Sequence, residues 1–240
     1  MLRQIRATYA RYGLSAAVRR TLYRMAQKLM VLDISKVVWV DAKSVGPFEP
    51  PQGFTFRQLT AAEVGRYAGS DPALGLDLEL ADRTMSGRDF CFAALSGDRL
   101  AAYGWFALGS IEAYHNRGNH PGTGVAVSYA EDVAFMYNGF THPDFRGNRL
   151  HSAVKAFALQ ELAAHGVTKM LGTTDWTNYA SRNSFRKLGC QDLGCTFRGG
   201  WGRCMLTLAP AAAKKRGIRF GSKAVVVGRK KLEGRRRKDE

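Results

Sequence analysis

Apolar residues recur at helical spacing from the start of the chain: Leu2, Ile5, Tyr9 and Tyr12, then, after Gly13, Val18, Leu22, Met25, Leu29 and Leu32. This period predicts an amphipathic helix, broken or bent at Gly13, because glycine in a helix interior costs about 1 kcal/mol relative to alanine. Val37–Asp41 reads as a short strand, and the Pro/Gly-rich stretch 46–53 as a connector. Phe54–Leu59 reads as a strand, and Thr60 opens a helix through a capping-box pattern with Glu63. Turn signals at 86–88 and 97–98 frame strands at Phe90–Leu95 and Leu100–Leu108, an antiparallel hairpin. Residues 109–127 are Gly-rich and read as a surface loop carrying His115 and His120. Strands are then expected at Val133–Thr141 and Val167–Thr173, with helices at Leu150–His165 and Tyr179–Leu188 ended by Gly166 and Gly189. Two further strands, around Asp192–Phe197 and Arg203–Leu208, complete a mixed sheet with helices, an α/β arrangement containing a βαβ unit.

Charge divides the chain. Of the net charge of +16, residues 1–31 hold seven basic side chains and no acid, and residues 214–240 hold twelve basic and three acidic ones. The stretch between is neutral, with 17 basic and 17 acidic residues. The expected organisation is a basic amphipathic N-terminal extension (1–45), a domain (46–210) and a basic, flexible C-terminal tail (211–240). Basicity confined to the ends concerns a partner or a location rather than the central chemistry. The first helix either packs its apolar face on the domain or lies on an anionic membrane surface. Nucleic acid is the less favoured partner, since the neutral centre carries none of its motifs. Cys91, Cys190, Cys195 and Cys204 form no CxxC pair and no metal-ligand spacing. With no disulfide framework and no apolar run long enough to span a bilayer, the expectation is a cytoplasmic protein, with a peripheral place at the inner face of the membrane as the refinement.

The segment that points to chemistry is Thr141-His142-Pro143-Asp144-Phe145-Arg146-Gly147-Asn148-Arg149-Leu150-His151, a strand turning directly into a helix. Such a turn aims free helix N–H groups at one point, a cradle for a pyrophosphate that Arg146 and Arg149 would reinforce. After the next strand come Asn178-Tyr179-Ala180-Ser181, Phe185 and Gly189-Cys190. Together these resemble the acetyl-CoA-binding core of the GNAT superfamily of acyltransferases, most clearly over 133–190 and more broadly over 54–208. The resemblance implies a GNAT-like central mixed sheet flanked by helices, and transfer of an acetyl or longer acyl group to an amine. No cofactor is expected to be held permanently, and no metal. The donor, acetyl-CoA or another acyl-CoA, would arrive as substrate, its pyrophosphate on the amides of Arg146, Gly147, Asn148, Arg149, Leu150 and His151. Its pantetheine arm would lie along Phe140 and Thr141 and contact Asn178, with Ser181 and Phe185 beside it.

Departures from the family pattern bear on the mechanism. Arg149 and His151 stand where turn glycines are usual and would crowd the cradle. Phe185 replaces a tyrosine that could protonate the leaving thiolate. Candidate catalytic residues are Glu131, Asp132 and Tyr137 on the strand before the turn, with His115 and His120 in the loop. Asp175 and Trp176 follow the second parallel strand, at the edge where open α/β sheets bind ligands, and Trp176 would wall the acceptor site. An acidic acyl carrier protein is an alternative donor that the basic ends would attract. A module that keeps the fold and binds acyl-CoA without turnover is the non-enzymatic alternative.

Overall fold

The computed structural model describes residues 2–76, 79–85, 87–116, 121–201 and 204–221. Its main sheet runs, edge to edge, through Cys204–Leu208 (β10), Gln191–Trp201 (β9), Val31–Asp41 (β1), Lys169–Asp175 (β8), Val133–Thr141 (β7), Arg99–Leu108 (β4), Asp89–Ser96 (β3) and Thr55–Leu59 (β2). Neighbouring strands are antiparallel except β7 and β8, which are parallel and joined by the helix Leu150–Leu162 (α5). This is the mixed α/β sheet expected from the sequence.

One face of the sheet is covered by α5, whose Val154, Ala158, Leu159 and Leu162 pack on Phe92, Phe106, Met136 and Met170. Full burial of a side chain of this kind stabilises by about 1.5–3 kcal/mol, so this helix is anchored by its apolar stripe. The opposite face carries Val37, Trp39, Val133, Phe135 and Leu171. It is covered by a small second sheet of Ser110–Ile111 (β5), Ala126–Ser128 (β6) and Arg219–Gly221 (β11), with the helix Ala211–Lys215 (α7). Helices Ala61–Ser70 (α3) and Glu79–Thr84 (α4) close the β2–β3 end; α3 has the full capping box, Thr60 and Glu63 each accepting the other's backbone N–H.

Three expectations change. The strand predicted at Val37–Asp41 begins six residues earlier and sits inside the sheet between β8 and β9, so the segment read as an extension supplies an interior strand. Asp33, Ser35 and Lys36 hid its first half by interrupting the apolar run. The loop at 109–127 contains β5 and most of β6, with Val125, Ala126 and Val127 buried rather than on the surface; His120 lies outside the described residues. The tail is ordered through Gly221, with Ala213 and Ile218 buried beneath the sheet, while residues 222–240 lie outside the described residues.

The first helix divides at Gly13 (φ 83°) into Leu2–Tyr12 (α1) and Leu14–Leu29 (α2). α2 packs through Ala16, Ala17 and Tyr23, the tyrosine hydroxyl accepting from Ile34 N at 2.8 Å. The reading in which its apolar stripe packs on the domain is therefore corrected: two small alanines bring the backbone close, and the stripe faces outward. No described helix is long and apolar enough to cross a membrane.

Candidate active site

The site begins where two parallel strands stop pairing. β7 and β8 are in register only from Val133/Lys169 to Met136/Gly172. Beyond that point β7 continues to Thr141 paired with β4 alone, and β8 continues to Asp175 paired with β1. A bulge at Tyr137, skipped between the pairs Met136/Phe106 and Asn138/Trp105, turns β7 at this point. The edge of β7 from Asn138 to Thr141 that faces β8 is thus left without a strand partner.

Two glycines admit the rings that fill the gap from the helix side. A Cβ on Gly139 would lie 2.6 Å from His151 Cε1, and one on Gly172 would lie 2.6 Å from Phe185 Cζ. His151 on α5 and Phe185 on the helix Tyr179–Arg186 (α6) therefore wedge β7 and β8 apart, each ring against the bare backbone of a glycine. The imidazole of His151 thus turns down onto the sheet, at the floor of the cleft that His151 helps to line. Burial holds its pKa well below the ordinary value.

The cradle is the turn from β7 into α5. A short 3-10 turn, Pro143–Phe145, uses the Arg146 N–H in a bond to Pro143 O, so Arg146 contributes its exposed guanidinium rather than its amide. Gly147 (φ 100°) and Arg149 (φ 59°) then adopt left-handed conformations. For arginine this costs on the order of 1–2 kcal/mol. The first α5 amides with an internal acceptor are those of Ser152 and Ala153, both on Arg149 O. The amides from Gly147 to His151 have no acceptor among the described residues outside the helix's own ladder, at the positive end of the macrodipole. They open on a cleft of about 910 Å³ lined by Phe140, Thr141, Arg146, Arg149, Ser181 and Phe185, among others. Asn178 caps α6, its Oδ1 accepting from Ser181 N at 3.2 Å, so it orders the cleft wall.

On the other side of the gap lies a second chamber, about 510 Å³, roofed by α1 and α2 through Thr8, Arg11, Tyr12, Arg20 and Arg24. Tyr137, Thr173, Thr174, Asp175 and Asn178 line both spaces, so they meet at the splay. The chamber holds two carboxylates. Asp175 Oδ1 accepts from Thr177 N at 2.7 Å and its Oδ2 faces Arg24 Nη2 at 3.4 Å. Asp33 is buried, accepts from Ser35 Oγ at 2.7 Å, and has its pKa raised by burial and then by the charge of Asp175. Asp33 escaped the sequence reading because β1 was assigned to an extension.

The other candidates separate clearly. Glu131 and Asp132 lie in the turn just before β7, roughly 30 Å along the chain from Thr141, and line neither space; Asp132 is bound to Lys169 and Thr168. Parallel strands present ligands at their carboxyl ends, and these acids stand at the amino end. Tyr137 does stand at the junction, but burial and the nearby Asp89 carboxylate hold its hydroxyl firmly protonated. His115 lines the chamber. Trp176 packs edge-on against Tyr23, anchoring α2.

A residue no sequence pattern flagged lies behind the wedge. Lys155, 0% exposed on α5, donates to Ser184 Oγ and sits 3.7 Å from the Phe185 ring centroid. Among the described residues it forms no ion pair, and burial drives its pKa well below the ordinary value. Among the described residues no group of three His, Cys, Asp or Glu side chains converges to hold a metal ion.

The sequence model described as the acetyltransferase (GNAT) family matches residues 57–190. No curated protein matches the chain significantly. Among solved structures, an acetyltransferase assigned to the GNAT family from Novosphingobium aromaticivorans is 16% identical, with a TM-score of 0.48 and coverage of 70% of this chain and 64% of that one. A GCN5-related N-acetyltransferase from Kribbella flavida is 16% identical, with a TM-score of 0.46 and coverage of 79% and 63%. A GNAT-family acetyltransferase from Colwellia psychrerythraea is 10% identical, with a TM-score of 0.47 and coverage of 72% and 57%. The chain thus spans under two thirds of the length of each of these. The family match covers more than half of the sequence, including both cradle and wedge: this chain belongs to the GNAT acetyltransferase family.

Proposed function

We propose that the protein transfers an acetyl or longer acyl group from acyl-CoA to an amine held in the chamber beneath α1 and α2. The observation that carries this reading is the junction of two spaces at one strand gap, an anion cradle on one side and a carboxylate-bearing chamber on the other. The donor's pyrophosphate sits on the amides from Gly147 to His151, with Arg146 and Arg149 alongside. Its pantetheine arm follows the free edge of β7, and a β7 amide polarises the thioester carbonyl. Asp33 and Asp175 attract the acceptor's ammonium. Asp33, whose proton affinity burial has raised, takes its proton.

The neutral nitrogen then attacks the thioester carbon, and the carbonyl electron pair moves to oxygen. Collapse of the tetrahedral intermediate breaks the C–S bond. The nitrogen, cationic in the intermediate, gives its second proton to solvent, Asp33 returns the first to solvent, and the thiolate takes a proton from solvent, since Phe185 has none to give.

The test is thiol release from acetyl-CoA, longer acyl-CoAs and an acylated carrier protein, against a panel of primary amines, for the wild type, Asp33→Asn and Asn178→Ala. Amine-dependent release from acyl-CoA, reduced by Asp33→Asn with donor affinity retained, is expected. Saturable acyl-CoA binding with no release for any amine would assign a non-catalytic module. Release only from the carrier protein would replace the donor.

A further inference from the structure

The outer face of α2 is built for a surface. Leu14, Val18, Leu22, Met25 and Leu29 are 46–77% exposed. At 3.6 residues per turn they fall within about 80° of arc along roughly 24 Å of helix. The stripe does not end with the helix. Trp201, 68% exposed, donates its indole N–H to Leu29 O at 3.1 Å, joining the end of α2 to the β9–β10 hairpin. On β10, Leu206 and Leu208 stand opposite Gly199 and Phe197, on the face Trp201 shares, and both are exposed. A soluble monomer rarely leaves so many large apolar side chains contiguous.

Charge identifies the partner. Arg19 and Lys28 flank the stripe on either side, Arg6 and Arg11 are exposed on α1, and residues 1–31 contain no acid. A second copy seated on this face about a two-fold axis would bring basic flanks together with no carboxylate from the segment to answer them. A nucleic acid would meet an apolar centre. An apolar strip between cations matches a bilayer interface with anionic headgroups, acyl chains beneath the strip and phosphates at its margins.

We propose that α2, extended by Trp201, Leu206 and Leu208, seats the protein on an anionic lipid surface. The inner face of the same helical pair walls the chamber, through Arg11, Arg20 and Arg24, so the seated protein holds that chamber next to the headgroups. Docking itself is independent of whether acyl transfer occurs.

The test is co-sedimentation of the full chain with phosphatidylcholine vesicles, with and without phosphatidylglycerol, across a salt series, alongside sedimentation velocity without lipid. The variants are Leu22→Gln/Leu29→Gln and Arg19→Gln/Lys28→Gln. All four side chains are exposed, and unchanged circular dichroism confirms the fold. Expected are binding to phosphatidylglycerol vesicles, a loss of tenfold or more in the apolar variant, and a shallower salt dependence in the charge variant. Wild-type protein that stays in the supernatant, or an apolar variant that binds as well as wild type, overturns the proposal. A wild-type dimer that the apolar variant dissociates assigns the face to a second copy instead.

Discussion

Replacing Gly172 by alanine tests whether the gap between β7 and β8 is held open by packing. The new Cβ would lie 2.6 Å from Phe185 Cζ and 3.3 Å from Cε1. Carbon atoms in favourable contact stand about 3.5–4.0 Å apart, so the ring must retreat by roughly 1 Å. It has little room: Phe185 is buried, and Lys155 Nζ stands 3.7 Å from its centroid. Overpacking of this kind costs about 1–3 kcal/mol, and the rigid neighbours favour the middle of that range, about 2 kcal/mol. Phe185→Leu alone loses ring area and costs on the order of 1–2 kcal/mol. In the double variant the shorter leucine vacates the position that the new methyl needs. The two penalties should therefore not add, and a coupling of about 1 kcal/mol or more is expected. Urea unfolding with a constant m-value measures all three. Acyl-CoA calorimetry on the same proteins should show weaker binding in Gly172→Ala and partial recovery in the double variant. Additive penalties, or a Gly172→Ala cost below about 0.5 kcal/mol, would refute the wedge.

Two further substitutions probe features away from the chemistry. Lys155→Met replaces a buried amine by an apolar chain of similar length, and Ser184 keeps its bond to Ser181 O at 2.6 Å. The folded pKa of Lys155 lies below the unfolded one, so between the two values the unfolded chain binds the extra proton and wild-type stability rises with pH. The variant should therefore be more stable than wild type at neutral pH. Denaturant titrations should find that advantage vanishing as pH rises past the unfolded lysine value; an advantage independent of pH would contradict a neutral Lys155. Thr60→Ala removes the hydroxyl that accepts from Glu63 N at 3.3 Å and should cost about 1 kcal/mol. A thermal melt should register this as a fall of about 2–4 °C, and an unchanged midpoint would mean that the cap adds nothing.

The strand–turn–helix from Val133 to Leu162 was legible because three signals coincide: an apolar run, a Pro/Gly turn, and a helical stripe. The cradle was legible with it, though not the spending of the Arg146 amide or the direction of His151. That direction depends on Gly139, twelve residues earlier in sequence, which offers the ring a bare backbone. Glu131 and Asp132 lie in the turn before β7, at its amino end, whereas parallel strands present ligands at their carboxyl ends. The strands of the small sheet, two or three residues each, are shorter than any alternation can register. Two of the polar residues of β1, Asp33 and Ser35, line the chamber, and the polarity that suits them to it helped to conceal the strand. For α2, the period was legible, and the packed face was open between two readings. Hydrophobic pattern favours burial of the leucines, whereas close approach over Ala16 and Ala17, with Tyr23 bonded to Ile34, selects the opposite side.

The position of β1 carries a consequence for where the folding unit begins. A chain starting at residue 46 would keep every residue of the family match, 57–190, and the whole cradle. It would lose a strand paired on both sides, to β8 through Ser35–Asp41 and to β9 through Val31–Trp39. It would also lose four consecutive buried side chains, Val37, Val38, Trp39 and Val40. At about 1.5–3 kcal/mol each, their burial amounts to roughly 6–12 kcal/mol, comparable with the entire stability of a typical domain. The exposed edges of β8 and β9 would add an aggregation hazard. A chain starting at residue 30 keeps β1 and sheds only α1 and α2, whose contacts with the sheet rest on a few side chains. The expectation is a folded 30–240 chain that binds acyl-CoA but has lost the chamber wall, and an insoluble or unfolded 46–240 chain. Circular dichroism and a urea transition on both would decide it. A cooperative transition in the 46–240 chain would mean that β9 can close directly on β8, and that β1 is an addition to the fold rather than part of it.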